Sequence, residues 1–157
     1  MKICILGGTG FVGRSLISAL SKENNTITVI TRDFDKNKDL AIYPNLKLIQ
    51  EDVYNEKRML EVSKSHDVLI NLIGILNEKG FRGKGFYLAH SKIARIILNV
   101  CKQNRIKRIL HMSALNADPG GSSHYLRTKG EAESFLHTYG CLLYKSDAAD
   151  DGSRVDL

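Results

Sequence analysis

Three glycines at i, i+3 and i+6 (Gly7, Gly10, Gly13) directly follow an apolar run, and no other feature limits the chain's fold so tightly. Ile3, Cys4, Ile5 and Leu6 read as a strand buried on both faces. Phe11, Val12, Leu16, Ile17, Ala19 and Leu20 then recur at helical spacing, so a helix opens near Gly10. A strand, a glycine turn and a helix make a cradle for a pyrophosphate, which sits on backbone N–H groups where the helix dipole favours negative charge. A β-carbon in the turn would hold the phosphate off. Gly7, Thr9, Gly10, Phe11 and Val12 therefore read as cofactor-binding positions, and Gly13 as the residue that lets the helix pack closely on the strand. The competing reading is a purely structural glycine turn.

The remaining elements alternate strand and helix. Thr26–Thr31 is a β-branched strand. At the end of such a strand, an acidic residue accepts from an NAD ribose, whereas a cation receives the 2′-phosphate of NADP. Here the sequence is Thr31-Arg32-Asp33, which favours NADP(H) through Arg32; Asp33 keeps NAD open. Asp35–Tyr43 reads as a short helix and Leu46–Gln50 as a third strand. Asp52 and Val53 follow where an adenine ring would lie, although Asp52 also suits a helix cap. Glu56–Lys64 reads as an amphipathic helix. Asp67–Gly74 is the most apolar strand, and Asn71 and Gly74 at its end serve a cofactor lying across it, or Asn71 is a satisfied buried amide. Residues 77–85 form a glycine- and lysine-rich loop near the mouth of the site. Phe86–Asn104 is a long helix, Arg108–Ser113 a fifth strand, and Ser122 or Ser123 caps the next helix. The expected fold is α/β, a Rossmann-type doubly wound parallel sheet.

Tyr125 and Lys129 stand four apart and share a helix face. An ammonium beside a phenol lowers the phenol's pKa and makes it an acid/base group near neutral pH. Ser113, at the end of the preceding strand, would hydrogen-bond a substrate carbonyl, and Lys129 would also hold the nicotinamide ribose. Such a set supports hydride transfer to or from a carbonyl or alcohol carbon. The bland reading of a tyrosine–lysine pair at this spacing is a solvated helix face.

The chain has 157 residues, enough for one domain with a real core. Its three cysteines (Cys4, Cys101, Cys141) are scattered, without metal-ligand spacing, which fits a reducing, cytoplasmic setting. No signal peptide or membrane span is expected. The net charge of +6 comes without a basic stripe interleaved with aromatics, which argues against nucleic acid; a weak attraction to acidic membrane surfaces stays open.

Taken together, residues 1–140 resemble an atypical branch of the short-chain dehydrogenase/reductase superfamily. It is the group like the NADPH-binding accessory subunit of respiratory complex I. The resemblance rests on Gly7-Gly-Thr-Gly-Phe-Val-Gly13, Thr31-Arg32, Asn71-Leu-Ile-Gly-Ile-Leu76, His90, His111-Met-Ser-Ala-Leu-Asn-Ala117 and Tyr125-Leu-Arg-Thr-Lys129. It implies bound NADP(H), without implying turnover, and a peripheral place on a membrane respiratory complex as one possible partner. The runner-up to an oxidoreductase or epimerase is thus a non-catalytic nucleotide-binding structural or assembly subunit. Extended members usually carry an Asn in the long helix as a proton relay. His90 stands at the matching position and reads as structural first, with a relay or cofactor contact second. His111 reads as a core residue.

The pattern stops near Gly140. Residues 141–157 hold four acidic and two basic residues, so +6 overall becomes +8 over 1–140. Only Cys141-Leu-Leu-Tyr144 could begin a sixth strand. The string Cys141-Leu-Leu-Tyr-Lys-Ser-Asp-Ala-Ala-Asp150 resembles a translated sequencing adaptor, and 141–157 is expected to be a non-native or disordered tail on a truncated domain.

Overall fold

The computed structural model describes residues 1–78, 80, 82–139 and, by backbone alone, 142–146. Six parallel strands form one sheet in the order β3-β2-β1-β4-β5-β6. They are β1 (Lys2–Leu6), β2 (Thr26–Thr31), β3 (Leu46–Gln50), β4 (Val68–Asn71), β5 (Arg108–Ala114) and β6 (Leu142–Ser146). The α-helices are α1 (Phe11–Leu20), α2 (Glu56–Val62), α3 (Lys84–Phe86), α4 (Ile93–Asn104) and α5 (His124–His137). The doubly wound α/β fold expected from the sequence is therefore the observed one.

Successive residues of β1 explain why the sheet is covered twice. Ile3 and Ile5 join a cluster with Ile17 of α1, Ile27, Val29, Val68 and Ile70. Cys4 and Leu6 point the other way, into a cluster with Met59, Ile93, Ile97, Val100 and Leu136 from α2, α4 and α5. Every residue of β1 after Lys2 is buried, as a central parallel strand requires. Burial pushes the Cys4 thiol up to about 12, so it behaves as a small apolar group.

Several elements differ from the sequence reading. β4 ends at Asn71 instead of Gly74, because the Asn71 carboxamide accepts the Ile73 N–H and turns the chain out of the sheet. Residues 35–42 form 3-10 turns. The helix cap of α2 is Asn55, which accepts from the Arg58 N–H at 3.2 Å; Asp52 instead accepts the Tyr54 N–H at 2.9 Å. Between α3 and α4 the long helix opens into a π segment, Tyr87–Lys92, that turns Ala89, His90 and Ser91 inward together. Ser123 caps α5, accepting from the Leu126 N–H. β6 pairs with β5, Leu110 opposite Leu142, within the segment set apart as a tail. The other tail residues, 141 and 147–157, lie outside the described residues, as do 79, 81 and 140.

Candidate functional site

The carboxyl ends of β1, β4 and β5 converge on a cleft of about 360 Å³. Its wall on one side is the glycine turn. Gly7 has a φ of +76°, and a β-carbon there would meet the Leu72 carbonyl carbon at 2.8 Å. At Gly13 a β-carbon would come within 2.5 Å of the Gly8 backbone, so this glycine is required for α1 to approach the turn. Gly10 is the N-cap of α1 and brings no side-chain acceptor, and the first turn holds no acidic residue. The first N–H groups of a helix without a cap need an outside acceptor. Phe11, 89% exposed, leaves that approach open.

Across the cleft stand Met112, Ser113, Tyr125 and Lys129. Ser113 is 1% exposed, and its Oγ has no hydrogen-bond partner among the described residues. A buried hydroxyl at a cleft wall without a partner awaits a ligand atom. Lys129 Nζ donates to the Met112 carbonyl oxygen at 3.0 Å. It lies 3.2 Å from where a β-carbon on Gly74 would sit, so the glycine makes room for the ammonium. Burial brings Lys129 down to about 8, against the opposing pull of Glu133.

The expected lowering of the Tyr125 pKa is corrected. Burial holds this phenol above its ordinary value, and the ammonium meant to lower it is committed to Met112. The Tyr125 ring packs edge-on against His90 and Phe86, with centroids 5.4 and 5.8 Å away.

Gly7, Gly10, Phe11, Val12, Gly13, Gly74, Ser113, Tyr125 and Lys129 thus line one cleft. Thr9 stands beside it, its carbonyl accepting from Arg14 Nε. Asn71 lies beneath the cleft, fully buried, and donates from Nδ2 to His111 Nδ1 at 2.9 Å. His90 Nε2 accepts the Ile75 N–H at 3.3 Å, so its ring proton sits on Nδ1 and goes to Thr128 Oγ1 at 3.0 Å. Burial, then the Lys129 charge, takes both His90 and His111 down to about 3. Both imidazoles are therefore neutral supports at physiological pH.

Arg32, Asp52 and Val53 lie farther along the carboxyl edge, at the ends of β2 and β3. Arg32 is exposed and makes no salt bridge among the described residues. Asp33 is turned to Lys36, accepting its N–H at 3.2 Å and pairing with its ammonium at 3.2 Å. Val53 is buried in the core. The sequence reading missed Leu72, Ile75 and Leu76 as lining residues. The signal was an apolar run continuing past Asn71, which looked like more strand.

The cleft fits a nicotinamide dinucleotide on two counts: an uncapped helix N-terminus for the pyrophosphate and an unpartnered Ser113 hydroxyl for a polar group opposite. Comparison with known proteins agrees. A family model described as NAD(P)H-binding matches residues 7–142. The chain is 26% identical over 137 residues to the NADH-ubiquinone oxidoreductase 40 kDa subunit, mitochondrial, of Neurospora crassa, covering 85% of this chain and 36% of that protein. It is 31% identical over 134 residues to the NADH dehydrogenase [ubiquinone] 1 alpha subcomplex subunit 9, mitochondrial, of Arabidopsis thaliana, covering 82% and 33%. Among solved structures, a UDP-Glc/GlcNAc 4-epimerase from Campylobacter jejuni superposes with a TM-score of 0.82 at 16% identity, covering 92% of this chain and 52% of that one. The chain spans about a third of the length of these curated relatives.

Proposed function

The chain belongs to the NAD(P)H-binding family, and from that premise we propose that the cleft holds NADP(H) for hydride exchange with a carbonyl or alcohol carbon. A bound nicotinamide supplies the hydride. In this reading the first turn of α1 receives the pyrophosphate and Arg32 the 2′-phosphate. Ser113 Oγ donates to the substrate oxygen. Tyr125 exchanges a proton with that oxygen. Lys129 orients the ribose and, once turned from Met112, lowers the phenol's pKa. The carrying observation is the convergence of the glycine turn, the unpartnered Ser113 hydroxyl and the Tyr125–Lys129 face on one cleft.

A second reading is favoured by a separate observation. Lys129 is tied to a backbone carbonyl instead of supporting the Tyr125 phenol, and burial holds that phenol above its ordinary value, which weakens it as a base. The relatives named as respiratory-complex subunits support a non-catalytic nucleotide-binding role, with the chain peripheral to a membrane complex. No helix among the described residues is long and apolar enough to cross a membrane.

Titration with NADPH and NADH, followed by cofactor fluorescence and Tm, tests the binding reading. Ligand at a hundred times Kd adds about 2.7 kcal/mol of stability. NADPH is expected to bind tighter than NADH, and Arg32→Ala to remove the difference. Equal affinity in the unaltered chain would sink the Arg32 assignment, and no binding of either would sink the cofactor reading. With carbonyl substrates, Tyr125→Phe abolishes turnover if the chemistry is catalytic; unchanged cofactor binding without turnover in either form supports the structural role.

A further inference from the structure

The sequence scatters its basic residues, but the fold gathers many of them at one end. In a parallel sheet all strands begin on the same side, here opposite the cleft. The backbone pairings fix the rim: Thr26 N–H bonds Met1 O, Ile27 N–H bonds Asn45 O, and Asp67 N–H bonds Lys2 O. Four exposed cations belong to the strand starts: Lys2, Lys47, Lys107 and Arg108. Four more close the helices that run back to this end: Lys22 after α1, Lys64 after α2, and Lys102 and Arg105 at the end of α4.

The second four have a local explanation, since cations favour helix C-termini. The first four do not, because a strand start carries no such dipole. Two exposed carboxylates stand among them: Asp67, which accepts the Lys2 N–H at 2.8 Å, and Glu23, which accepts from the Asn25 amide at 3.3 Å; Glu61 is paired with Arg58. Eight cations outweigh those two charges, so the rim projects net positive charge.

We propose that this rim is a docking surface for an anionic lipid bilayer. The cations run across the sheet from β3 to β5, away from the nucleotide cleft, so the surface suits a laterally continuous charge more than a single acidic peptide. Met1, 58% exposed and preceding Lys2 at the start of β1, is an apolar side chain at this end that would enter the headgroup layer. Nucleic acid fits less well, because the described residues of the rim offer no aromatic stacking platform. Tyr139 turns inward to donate to the carbonyls of Cys101 and Ile106, and Tyr43 packs on the core. Docking this way leaves the nucleotide cleft facing away from the bilayer, and it does not depend on the cleft being occupied.

The test is co-sedimentation of the full chain with phosphatidylcholine vesicles, with and without about a third phosphatidylserine. Binding is expected only with phosphatidylserine and should fall as salt rises. Each cation near the surface contributes roughly fivefold in partition, so Lys22→Gln, Lys107→Gln and Arg108→Gln together should weaken binding by roughly a hundredfold. A second triple, Lys38→Gln, Lys57→Gln and Lys84→Gln, has the same net charge away from the rim and should bind nearly as the parent does. All six side chains are exposed, and melting curves would check that both triples fold. Equal losses in the two triples, or equal binding to both vesicles, would overturn the proposal. Tighter binding to polyglutamate or duplex DNA than to the anionic vesicles at matched salt would overturn it in favour of an acidic protein or nucleic acid.

Discussion

Replacing Lys129 with methionine should make the protein more stable at pH 7. The side chain is only 4% exposed, and burial takes its pKa from 10.5 to about 8. At about 1.4 kcal/mol per pH unit, holding that charge costs about 3 kcal/mol. Methionine fills a similar volume without the charge, but it forfeits the bond to Met112, which returns about 1 kcal/mol. The net gain of about 2 kcal/mol corresponds to about 4–8 °C in Tm for a chain of this size. The sign follows from proton linkage. The unfolded lysine binds its proton more tightly, so wild-type stability is complete above pH 10.5 and is lost as pH falls to about 8. The variant's advantage should therefore be level below pH 8 and shrink as pH rises toward 10.5. Thermal melts of both proteins from pH 6 upward measure the difference, and groups common to both cancel. A variant less stable than wild type at pH 7, or a difference that does not change with pH, would refute the argument that this ammonium is held at a cost. Such a cost is what a site bears when a charge is kept for a ligand.

The remaining expectations concern the turn and the buried imidazoles. Gly13→Ala should lower stability by about 1–3 kcal/mol or more, because its methyl group would meet the Gly8 backbone at 2.5 Å; nucleotide affinity should fall with it, and a melt matching wild type would count against the close approach of α1. His90 and His111 lie at about 3, below the ordinary 6.5, so their contribution is complete above pH 6.5 and is lost as pH falls toward 3. Each should add a slope of about 1.4 kcal/mol per pH unit in that window. His111→Gln, whose amide oxygen still accepts from Asn71, should remove one such slope in a pH series of melts; an unchanged slope would place the titration elsewhere.

Much of this fold was written locally in the chain. Thr26–Thr31 and Leu46–Gln50 are β-branched or apolar runs that begin directly after the polar pair Asn24-Asn25 and after Pro44-Asn45, and the observed strands match those limits. The resemblance carried by the glycine turn and the Asn71–Leu76 string agrees with the family match and the complex I relatives. Legibility failed where tertiary contacts decide. The run from Val68 to Leu76 stays largely apolar past Asn71, and a hydrogen bond from the Ile73 N–H to Asn71 tells strand from cleft wall. The spacing of Tyr125 and Lys129 was correct, but spacing does not report burial, and burial reverses the direction of the tyrosine's shift. The gathering of cations at one rim is likewise invisible until the strands are aligned.

The π segment at Tyr87–Lys92 sets which changes of chain length this helix tolerates. A π turn accommodates an extra residue within an otherwise α-helical rod. Deleting one residue there would let the turn rewind to regular α geometry with the flanking faces kept in phase, whereas the same deletion inside α4 would rotate everything beyond it by about 100°. Such a rotation would take residues beyond the deletion, Ile97 and Val100 among them, out of the core. A deletion within the π turn would instead remove the inward bulge that holds His90 and Ser91 against α5, where Ser91 Oγ donates to Glu131 at 2.7 Å. The wide turn is thus the place where this helix can lose a residue and keep its core, at the expense of the floor of the cleft.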